Sequence, residues 1–393
     1  MFDTIVIGKG LIGSAAIRYL SEHSANVAAI GPDEPVDWAT HQGVFASHYD
    51  QGRITRILDV DPVWALLAKR SIEQYRTIEA NSGIDLYTPS GGLQINYDPE
   101  RVVQLERVGH QLGAEFKTFR DPAALKTGCP LFSFPEDMTG TFESGGAGYI
   151  NPRALVAAQL TIAQQQGASV LRETVISVES HKDSVTVTTT EGHSYQAKKI
   201  LLAAGAYTNM LLDAPLDLTL KPRTILLAEL PDSEITRLAN LPTLMVKLKD
   251  NPHLLSIYMV PGVQYSDGKT YIKIGGYMHN TPVARSFEEL RTWFNTGGSR
   301  AEAEALKAVL LDCIPDLNAT AFRQKPCVIT YTAHERPYID TLEEGRIFVA
   351  AGGCGTSAKS SNEIGRLAAS LTVHNAWLDQ ELHAKDFQAI RQP

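Results

Sequence analysis

The stretch Thr4-Ile5-Val6-Ile7-Gly8-Lys9-Gly10-Leu11-Ile12-Gly13-Ser14 decides the fold of this 393-residue chain. Residues 4–7 are β-branched and apolar, which favours a strand, and a helical pattern follows the glycines as far as Leu20. In such a strand–turn–helix unit Gly8 permits the tight turn, Gly10 lets the backbone approach a pyrophosphate, and Gly13 lets the helix pack closely on the strand. The stretch therefore predicts a dinucleotide-binding unit, with the phosphates at the helix N-terminus.

A second strand is predicted over residues 26–30. In a dinucleotide-binding unit this strand ends with an acidic residue that hydrogen-bonds the adenosine ribose. Here the position is Gly31, followed by Pro32, Asp33 and Glu34. Asp33 is the better candidate for the ribose contact.

Composition narrows the possible partners. Forty-four acidic and 36 basic residues give a formal net charge of −8, which argues against a nucleic-acid or anionic-membrane surface. We see no export signal, and the apolar runs are too short to span a bilayer, so we expect a cytoplasmic protein. The cysteines Cys129, Cys313, Cys327 and Cys354 are scattered, which predicts thiols, and the histidines show no metal-ligand spacing.

A second glycine-rich stretch, residues 353–358 (GCGTSA), follows an apparent strand at 346–351. It has the spacing GxGxxA, but too little chain follows for another βαβ unit, which argues against a separate NAD-binding domain. We interpret it as a loop that places the N-terminus of a helix, from about Asn362, near the cofactor. Ser360, Ser361 and Asn362 are the candidate caps of that helix.

With these pieces placed, the chain resembles the D-amino-acid-oxidase-like flavoprotein superfamily. Within it, the chain is similar to the monomeric sarcosine oxidase and N-methyltryptophan oxidase group. The resemblance runs nearly end to end and rests on the order and spacing of several stretches. Besides the first glycine turn, these are residues 47–56 (SHYDQGRITR), 201–207 (LLAAGAY), 258–273, 325–332 (KPCVITYT) and 350–361.

The resemblance implies FAD as the cofactor. Cys327 aligns with the cysteine through which the group attaches its flavin by a thioether at the 8-methyl carbon. Together with the glycine turn, the resemblance predicts these cofactor-binding residues: Gly8, Gly10, Leu11, Ile12, Gly13, Asp33, Ser47, His48, Arg53, Val175, Ala204, Gly205, Cys327, Gly353, Gly355, Thr356 and Lys359.

The resemblance also implies an oxidase that acts on a small amine bearing a carboxylate, with molecular oxygen as the electron acceptor. Arg56 and Lys359 match the two cations that hold the carboxylate, and a guanidinium can grip it by two hydrogen bonds. Lys273 matches a lysine that promotes the reaction with oxygen. The implied catalytic residues are Lys273, Arg53 at the flavin ring and Tyr258 in the pocket.

The predicted substrate pocket departs from sarcosine oxidase. Ile329 stands where the sarcosine enzyme has a tyrosine, and residues 354–358 lack the usual histidine-glycine-aromatic run. Such changes of volume and polarity alter substrate discrimination. The predicted substrate-binding residues are therefore Arg56, Lys359, Tyr258 and Ile329, and the substrate is a small secondary or N-substituted amino acid.

The predicted fold class is α/β. A Rossmann-like FAD-binding domain (residues 1–86, 148–217 and 323–393) is interleaved with a mixed-sheet α+β substrate-binding domain (87–147 and 218–322). Residues 222–224 and 250–252 are predicted junctions or turns. We expect a monomer or a small homo-oligomer.

Three alternatives remain open from the sequence. A flavin dehydrogenase of the same fold would pass electrons to a carrier instead of oxygen. An NAD-dependent dehydrogenase fits the first glycine turn but not Cys327. A non-catalytic flavin-binding subunit would have no need of Arg56, Lys273 and Lys359.

Overall fold

The computed structural model describes residues 1–392. The strands in chain order are β1 (Phe2–Ile7), β2 (Val27–Ile30), β3 (Arg53–Thr55), β4 (Tyr87–Thr88), β5 (Gly92–Asn96), β6 (Phe116–Phe119), β7 (Thr139–Glu143), β8 (Gly148–Ile150), β9 (Ser169–Leu171), β10 (Val175–Ser180), β11 (Val185–Thr189), β12 (Ser194–Leu202), β13 (Leu218–Glu229), β14 (Thr243–Lys247), β15 (Leu254–Gln264), β16 (Thr270–Met278), β17 (Ala321–Thr332), β18 (Tyr338–Glu343) and β19 (Ile347–Ala351). The helices are α1 (Leu11–Ser21), α2 (Pro62–Ser82), α3 (Pro99–Leu112), α4 (Pro122–Gly128), α5 (Pro152–Gln165), α6 (Asp232–Arg237), α7 (Phe287–Asn295), α8 (Arg300–Cys313) and α9 (Ser361–His374).

The first sheet has the strand order β10-β11-β12-β1-β2-β9, and β19 pairs with β12 and β18. β1 lies between β2 and β12 and runs parallel to both, while α1 forms the crossover from β1 to β2. β1 and β2 are buried almost throughout, as strands covered on both faces must be. This arrangement confirms the predicted Rossmann-like α/β layer.

The second sheet has the strand order β17-β13-β16-β15-β14-β5-β7-β6. The sheet is mixed: β14 runs parallel to β5, and every other pair of neighbouring strands in this sheet is antiparallel. Apolar side chains of α8, such as Leu306 and Leu310, belong to the same buried cluster as Ile272 and Ile274 of β16. A small third sheet, β3-β8-β4, completes the strands. The mixed second sheet was predicted; the exact domain boundaries stay a prediction.

The predicted junction at residues 222–224 is wrong, because these residues lie inside the 12-residue strand β13. Pro222 pairs with Val328 of β17, whereas the pairing of β13 with β16 begins only at Ile225. A proline lacks the N–H that a strand paired on both sides needs, and at Pro222 only one neighbour is present. The predicted turn at 250–252 lies between β14 and β15, and Asp250 has a positive φ of 54°.

The helix predicted from about Asn362 begins at Ser361, and of its three predicted caps only Ser360 lies at the N-cap. Ser360 holds the N-cap position and makes no capping hydrogen bond with its side chain. Ser361 donates its hydroxyl to the carbonyl of Ala358, and the Asn362 amide oxygen accepts from Arg18 and Gln159. Asn362 therefore ties α9 to α1 and α5 instead of capping its own helix.

Helices α1 and α9 pack at very close range. A Cβ at Gly365 of α9 would lie 2.5 Å from the Cβ of Ala15 and 2.7 Å from the backbone nitrogen of Ala16. Interiors are close-packed, so only a residue without a side chain fits there. The contact holds α1, and with it the first glycine turn, in place.

We expect Gly365→Ala to lower the free energy of unfolding by at least about 1 kcal/mol, because overpacking outweighs the gain in helix propensity. Thermal unfolding measures it. Ser370→Ala, at a half-buried position of the same helix, is the control and should be neutral or slightly stabilising. An equal rise in the melting temperature for both variants would contradict the packing argument.

Candidate functional site

A cavity of about 810 Å³ runs between the first and the second sheet. This volume is typical of a site that encloses a large organic ligand. The wall includes the β1–α1 turn at one end and residues of β5, β13, β14, β15, β16 and β17 at the other. Of the residues predicted from the sequence, all but Gly13, Asp33 and Lys273 line it.

The β1–α1 turn leaves room for a ligand and none for side chains. Gly8 has a φ of 101°, and a Cβ there would lie 2.4 Å from the carbonyl oxygen of Ala203. A Cβ at Gly13 would lie 1.8 Å from the carbonyl oxygen of Gly8. Gly10 is the N-cap of α1 and no side chain caps that end, so the first-turn amides of α1 are open to an anion such as a pyrophosphate. Leu11 and Ile12 also line the cavity.

Asp33 does not reach the cavity. Its carboxylate pairs with Lys9 and lies 3.2 Å from Arg172, and its side chain is 58% exposed. Gly31 and Pro32 line the cavity in its place. The ribose contact of Asp33 stays a prediction.

The other predicted cofactor residues come to the cavity from separate parts of the chain. Gly205 is at a positive φ of 58°, and a Cβ there would meet no atom within 4 Å. At Gly355 a Cβ would lie 2.5 Å from the hydroxyl of Tyr277, so a side chain would collide with the wall. The residues that share this placement are Ser47, His48, Val175, Ala204, Gly205, Gly353, Gly355, Thr356 and Lys359.

His48 lies among cations. Burial, and then Arg153, Lys9 and Arg53, lower the pKa of its imidazole from 6.5 to about 3. Its Nδ1 is buried and has no hydrogen-bond partner within the described part of the chain. The ring is therefore neutral at physiological pH and keeps one nitrogen available for a ligand.

Lys273 is fully buried beneath the cavity wall. Its ammonium donates to the carboxylate of Asp50 and, at 2.7 Å, to the carbonyl of Gly52. Asp50 also lies 3.1 Å from Arg53 Nε and accepts a 2.8 Å hydrogen bond from the Tyr265 hydroxyl. Burial, and then Arg53, lower the pKa of Lys273 to about 8, although Asp50 opposes the shift. Arg53 lines the cavity and connects this buried network to it.

Arg56 and Lys359 converge on one carboxylate. Arg56 Nη2 and Lys359 Nζ each lie 3.1 Å from Asp59 Oδ2. Burial opposes ionisation of Asp59, but the two cations outweigh it and hold the pKa at about 2. Lys359 is 2% exposed, and burial followed by Arg56 lowers its pKa to about 8. All three residues line the cavity, and together they carry one net positive charge.

Tyr258, Cys327 and Ile329 form part of the opposite wall. The ring of Tyr258 covers Gly275, where a Cβ would lie 2.4 Å from its hydroxyl. Burial raises the pKa of the Cys327 thiol. The carbonyl of Cys327 accepts a 3.0 Å hydrogen bond from Trp293 Nε1, which fixes the strand that carries it.

Sequence reasoning missed three charged residues of this region. Asp50 was quoted only as part of the stretch 47–56, and Asp59 was not considered, although it follows Arg56 at a spacing that permits an ion pair. Arg223 was placed in a turn, yet it lines the cavity and is 95% buried, with 5% of its surface exposed. For the two aspartates the signal was present, since each lies three residues from an arginine singled out as functional.

Within residues 1–392, no helix is long and apolar enough to cross a membrane, and no group of three or more His, Cys, Asp or Glu side chains could hold a metal ion.

We predict that His48 makes the protein less stable in acid. Unfolding returns its pKa towards 6.5, so between pH 3 and 6.5 the unfolded chain binds a proton that the folded protein does not, and stability falls as the pH drops. His48→Gln should remove about 2 kcal/mol of the loss between pH 7 and pH 5, measured by unfolding at both values. The exposed His279→Gln is the control, and an unchanged pH dependence in His48→Gln would contradict the assignment.

A family model and several relatives match this chain over most of its length. A sequence model of the family described as FAD dependent oxidoreductase matches residues 3–371. Monomeric sarcosine oxidase from Bacillus sp. (strain NS-129) is 26% identical over 95% of this chain and 93% of its own length. N-methyl-L-tryptophan oxidase from Yersinia pestis (strain Pestoides F) is 25% identical over 94% of each chain.

Solved structures share the fold. NikD, described as an unusual amino acid oxidase essential for nikkomycin biosynthesis, superposes with a TM-score of 0.77 at 19% identity, over 99% of this chain and 98% of its own. L-proline dehydrogenase from P. horikoshii superposes with a TM-score of 0.72 at 18% identity, over 98% and 96%. The family match over nearly the whole chain confirms both the predicted resemblance and FAD as the cofactor. The chain belongs to the FAD dependent oxidoreductase family.

Proposed function

We propose that this enzyme oxidises a small secondary or N-substituted amino acid at the carbon beside the nitrogen. The observation that carries the proposal is the group formed by Arg56, Lys359 and Asp59. A buried lysine and a partly buried arginine share a single carboxylate at the wall of the cavity, and the β1–α1 glycine turn lies at the other end of that cavity. Their net positive charge attracts one carboxylate, and an amino acid brings one.

Binding of the amino acid also prepares its nitrogen. Arg56 uses one guanidinium nitrogen on Asp59 and keeps others for the substrate, and the Lys359 ammonium likewise has further donors. The cations that orient the substrate carboxylate also disfavour an ammonium nearby and so lower the pKa of the substrate amine. The neutral amine is the form that can lose a hydride from the adjacent carbon.

The cavity fits FAD by its open glycine turn and by the crowding at Gly8 and Gly13, where side chains would collide with backbone. When bound, FAD supplies the hydride acceptor. We propose that Cys327 forms the thioether to the flavin and that Arg53 lies at the flavin ring. Tyr258 and Ile329 would bound the substrate, and the isoleucine offers an apolar surface where the sarcosine enzyme has a phenol.

We further propose that molecular oxygen is the electron acceptor. The overall reaction then passes two electrons and two protons from the amine to oxygen, giving an imine and hydrogen peroxide. Support comes from Lys273, a fully buried cation that shares Asp50 with Arg53 at the cavity wall. A fixed cation in a dry site stabilises the negative charge that develops on reduced oxygen.

A dehydrogenase remains the second candidate, and one observation favours it. The ammonium of Lys273 is already engaged by Asp50 and Gly52 and does not line the cavity, so its charge is partly neutralised. Such an enzyme would pass its electrons to a carrier, and its reduced flavin would react slowly with air.

Acid precipitation tests the role of Cys327. We expect the yellow colour to stay with the pellet of the native protein and to pass into the supernatant of Cys327→Ser, because serine cannot form the thioether. Cys129→Ser, at a half-buried cysteine that does not line the cavity, should behave like the native protein. Flavin released from the native protein would rule out the covalent bond.

Oxygen kinetics test the role of Lys273. Aerobic incubation with a panel of N-methyl amino acids should consume one oxygen and release one hydrogen peroxide per amine oxidised. Lys273→Met should slow reoxidation of the reduced flavin about 100-fold and leave anaerobic reduction much less affected. The exposed Lys269→Met, four residues earlier, is the control. Slow reoxidation in the native protein would favour the dehydrogenase.

A further inference from the structure

The substrate end of the cavity carries more positive charge than one carboxylate needs. Three cations that line it form no ion pair within residues 1–392: Arg101, Lys247 and Arg223. The other cations of the wall are compensated, Arg53 by Asp50, Lys9 by Asp33, and Arg56 with Lys359 in part by Asp59. Uncompensated charge in a partly dry cavity is costly, which points to an anion that completes it.

Two of these cations, Arg223 and Lys247, lie on one row of paired residues across the second sheet, which runs from Cys327 to Lys247. Arg223 pairs with Cys327, Tyr277 with Ser256, and Ser256 with Lys247. The guanidinium of Arg223 lies over the ring of Tyr277, 5.4 Å from its centroid, which joins the two halves of the row. Directly opposite residues on neighbouring strands point to the same face, and strands are about 4.8 Å apart. Lys247 therefore starts roughly 14 Å from Arg223 and further still from Cys327.

The Lys247 end of the row has the features of a binding site. Ile95 and Val246 are partners in the parallel pairing of β5 with β14, so Asn96 and Lys247 follow side by side. Asn96 lines the cavity and is 98% buried, with 2% exposed, yet its amide oxygen has no hydrogen-bond partner within the described chain. The unpartnered oxygen is an acceptor and calls for a proton donor, whereas the Nδ2 group is the part of Asn96 that can donate to an anion.

Arg101 supplies the second cation of this cluster from the first turn of α3. The positive end of the helix dipole repels a cation in the first turn, so Arg101 does not stabilise α3 from this position. The Arg101 and Lys247 side chains both line the cavity, and burial followed by repulsion from Arg101 lowers the pKa of Lys247. An anion between them would relieve that repulsion.

We propose that Arg101, Lys247 and Asn96 form a second anion site, which binds a carboxylate on the side chain of the substrate. The inference rests on the proposed function and narrows its substrate to an N-alkylated dicarboxylic amino acid. Arg56 and Lys359 would hold the α-carboxylate, and the second site would hold the distal one. The Arg101 guanidinium offers two parallel N–H groups and the Lys247 ammonium a third donor.

Binding of two matched probes to the FAD-loaded protein tests the site without turnover. Glutarate has two carboxylates, and glutaramate replaces one of them by a neutral amide of the same size. We expect calorimetry to give a dissociation constant about tenfold lower for glutarate, since one charge-assisted interaction is lost in glutaramate. Equal affinities within twofold would overturn the proposal.

Variants show whether these residues cause the preference. Arg101→Gln and Lys247→Gln should each reduce the glutarate preference, and the double variant should bring it close to one. Lys249→Gln removes the same charge from an exposed lysine two residues further on, which pairs with Asp137, and should keep the preference. An unchanged preference in the double variant would overturn the assignment.

Turnover separates this inference from the proposed function. Both enantiomers of N-methylglutamate and N-methylglutamine are compared, and the acid should have a kcat/KM about tenfold higher, which the double variant loses through KM. Oxidation of acid and amide at equal rates would keep the proposed function and overturn the second anion site. Failure of every N-methyl amino acid to reduce the flavin, with the glutarate preference intact in binding, would overturn the proposed function and support the site.

Discussion

A single buried carboxylate, Asp59, joins the two ends of this chain at the substrate side of the cavity. It lies 3.1 Å both from Arg56, which follows β3, and from Lys359, which precedes α9. A charge in the interior is costly without an anion nearby, because burying an isolated ion costs several kcal/mol. The carboxylate of Asp59 stabilises the charges of Arg56 and Lys359 side by side, and the three groups together have a net charge of one positive unit. The close packing of α9 against α1 at Gly365 also positions Lys359, because Lys359 lies directly before α9 and its side chain reaches Asp59 from there.

The parts of the site that were predictable are those determined locally or by order along the chain. The first glycine turn could be recognised because Gly8, Gly10 and Gly13 follow a predicted strand at a fixed spacing, although the atom that excludes a side chain at Gly8 belongs to the distant Ala203. The resemblance brought Arg56 and Lys359 together although 303 positions separate them in the sequence. Asp33 was a reasonable candidate for the ribose by spacing alone, but its carboxylate pairs with Lys9, a residue within the glycine turn itself. That ion pair depends on how the chain leaves β2, which spacing does not determine.

Other features could not be deduced because they depend on contacts between distant strands. Lys273 lies in the run 271–275, which is buried at every position, so alternation gave no indication of where its ammonium points. Arg223 follows a proline, a pattern that suggests a turn, and only the one-sided pairing at Pro222 makes the strand possible. Arg223 and Lys247, which lie on the row across the second sheet, come together on one face through the register of several strands.

In the proposed function, residues of the second sheet contact the substrate, while the glycine turn of the first sheet binds the cofactor. Cys327 stands at one end of the row and Lys247 at the other, so a ligand that extends along the row would contact the proposed flavin attachment point and then Lys247.

The central claim, that the cations at Asp59 select an amino acid for oxidation, is tested most directly by anaerobic stopped-flow reduction of the bound flavin. N-methylalanine is compared with N-methylethylamine, which has the same amine and lacks the carboxylate. The account predicts that the amino acid bleaches the flavin absorbance at a rate at least about a hundredfold higher at equal concentration, since two charge-assisted contacts are lost with the carboxylate. Equal rates for the two amines, or reduction by the carboxylate-free amine alone, would contradict it.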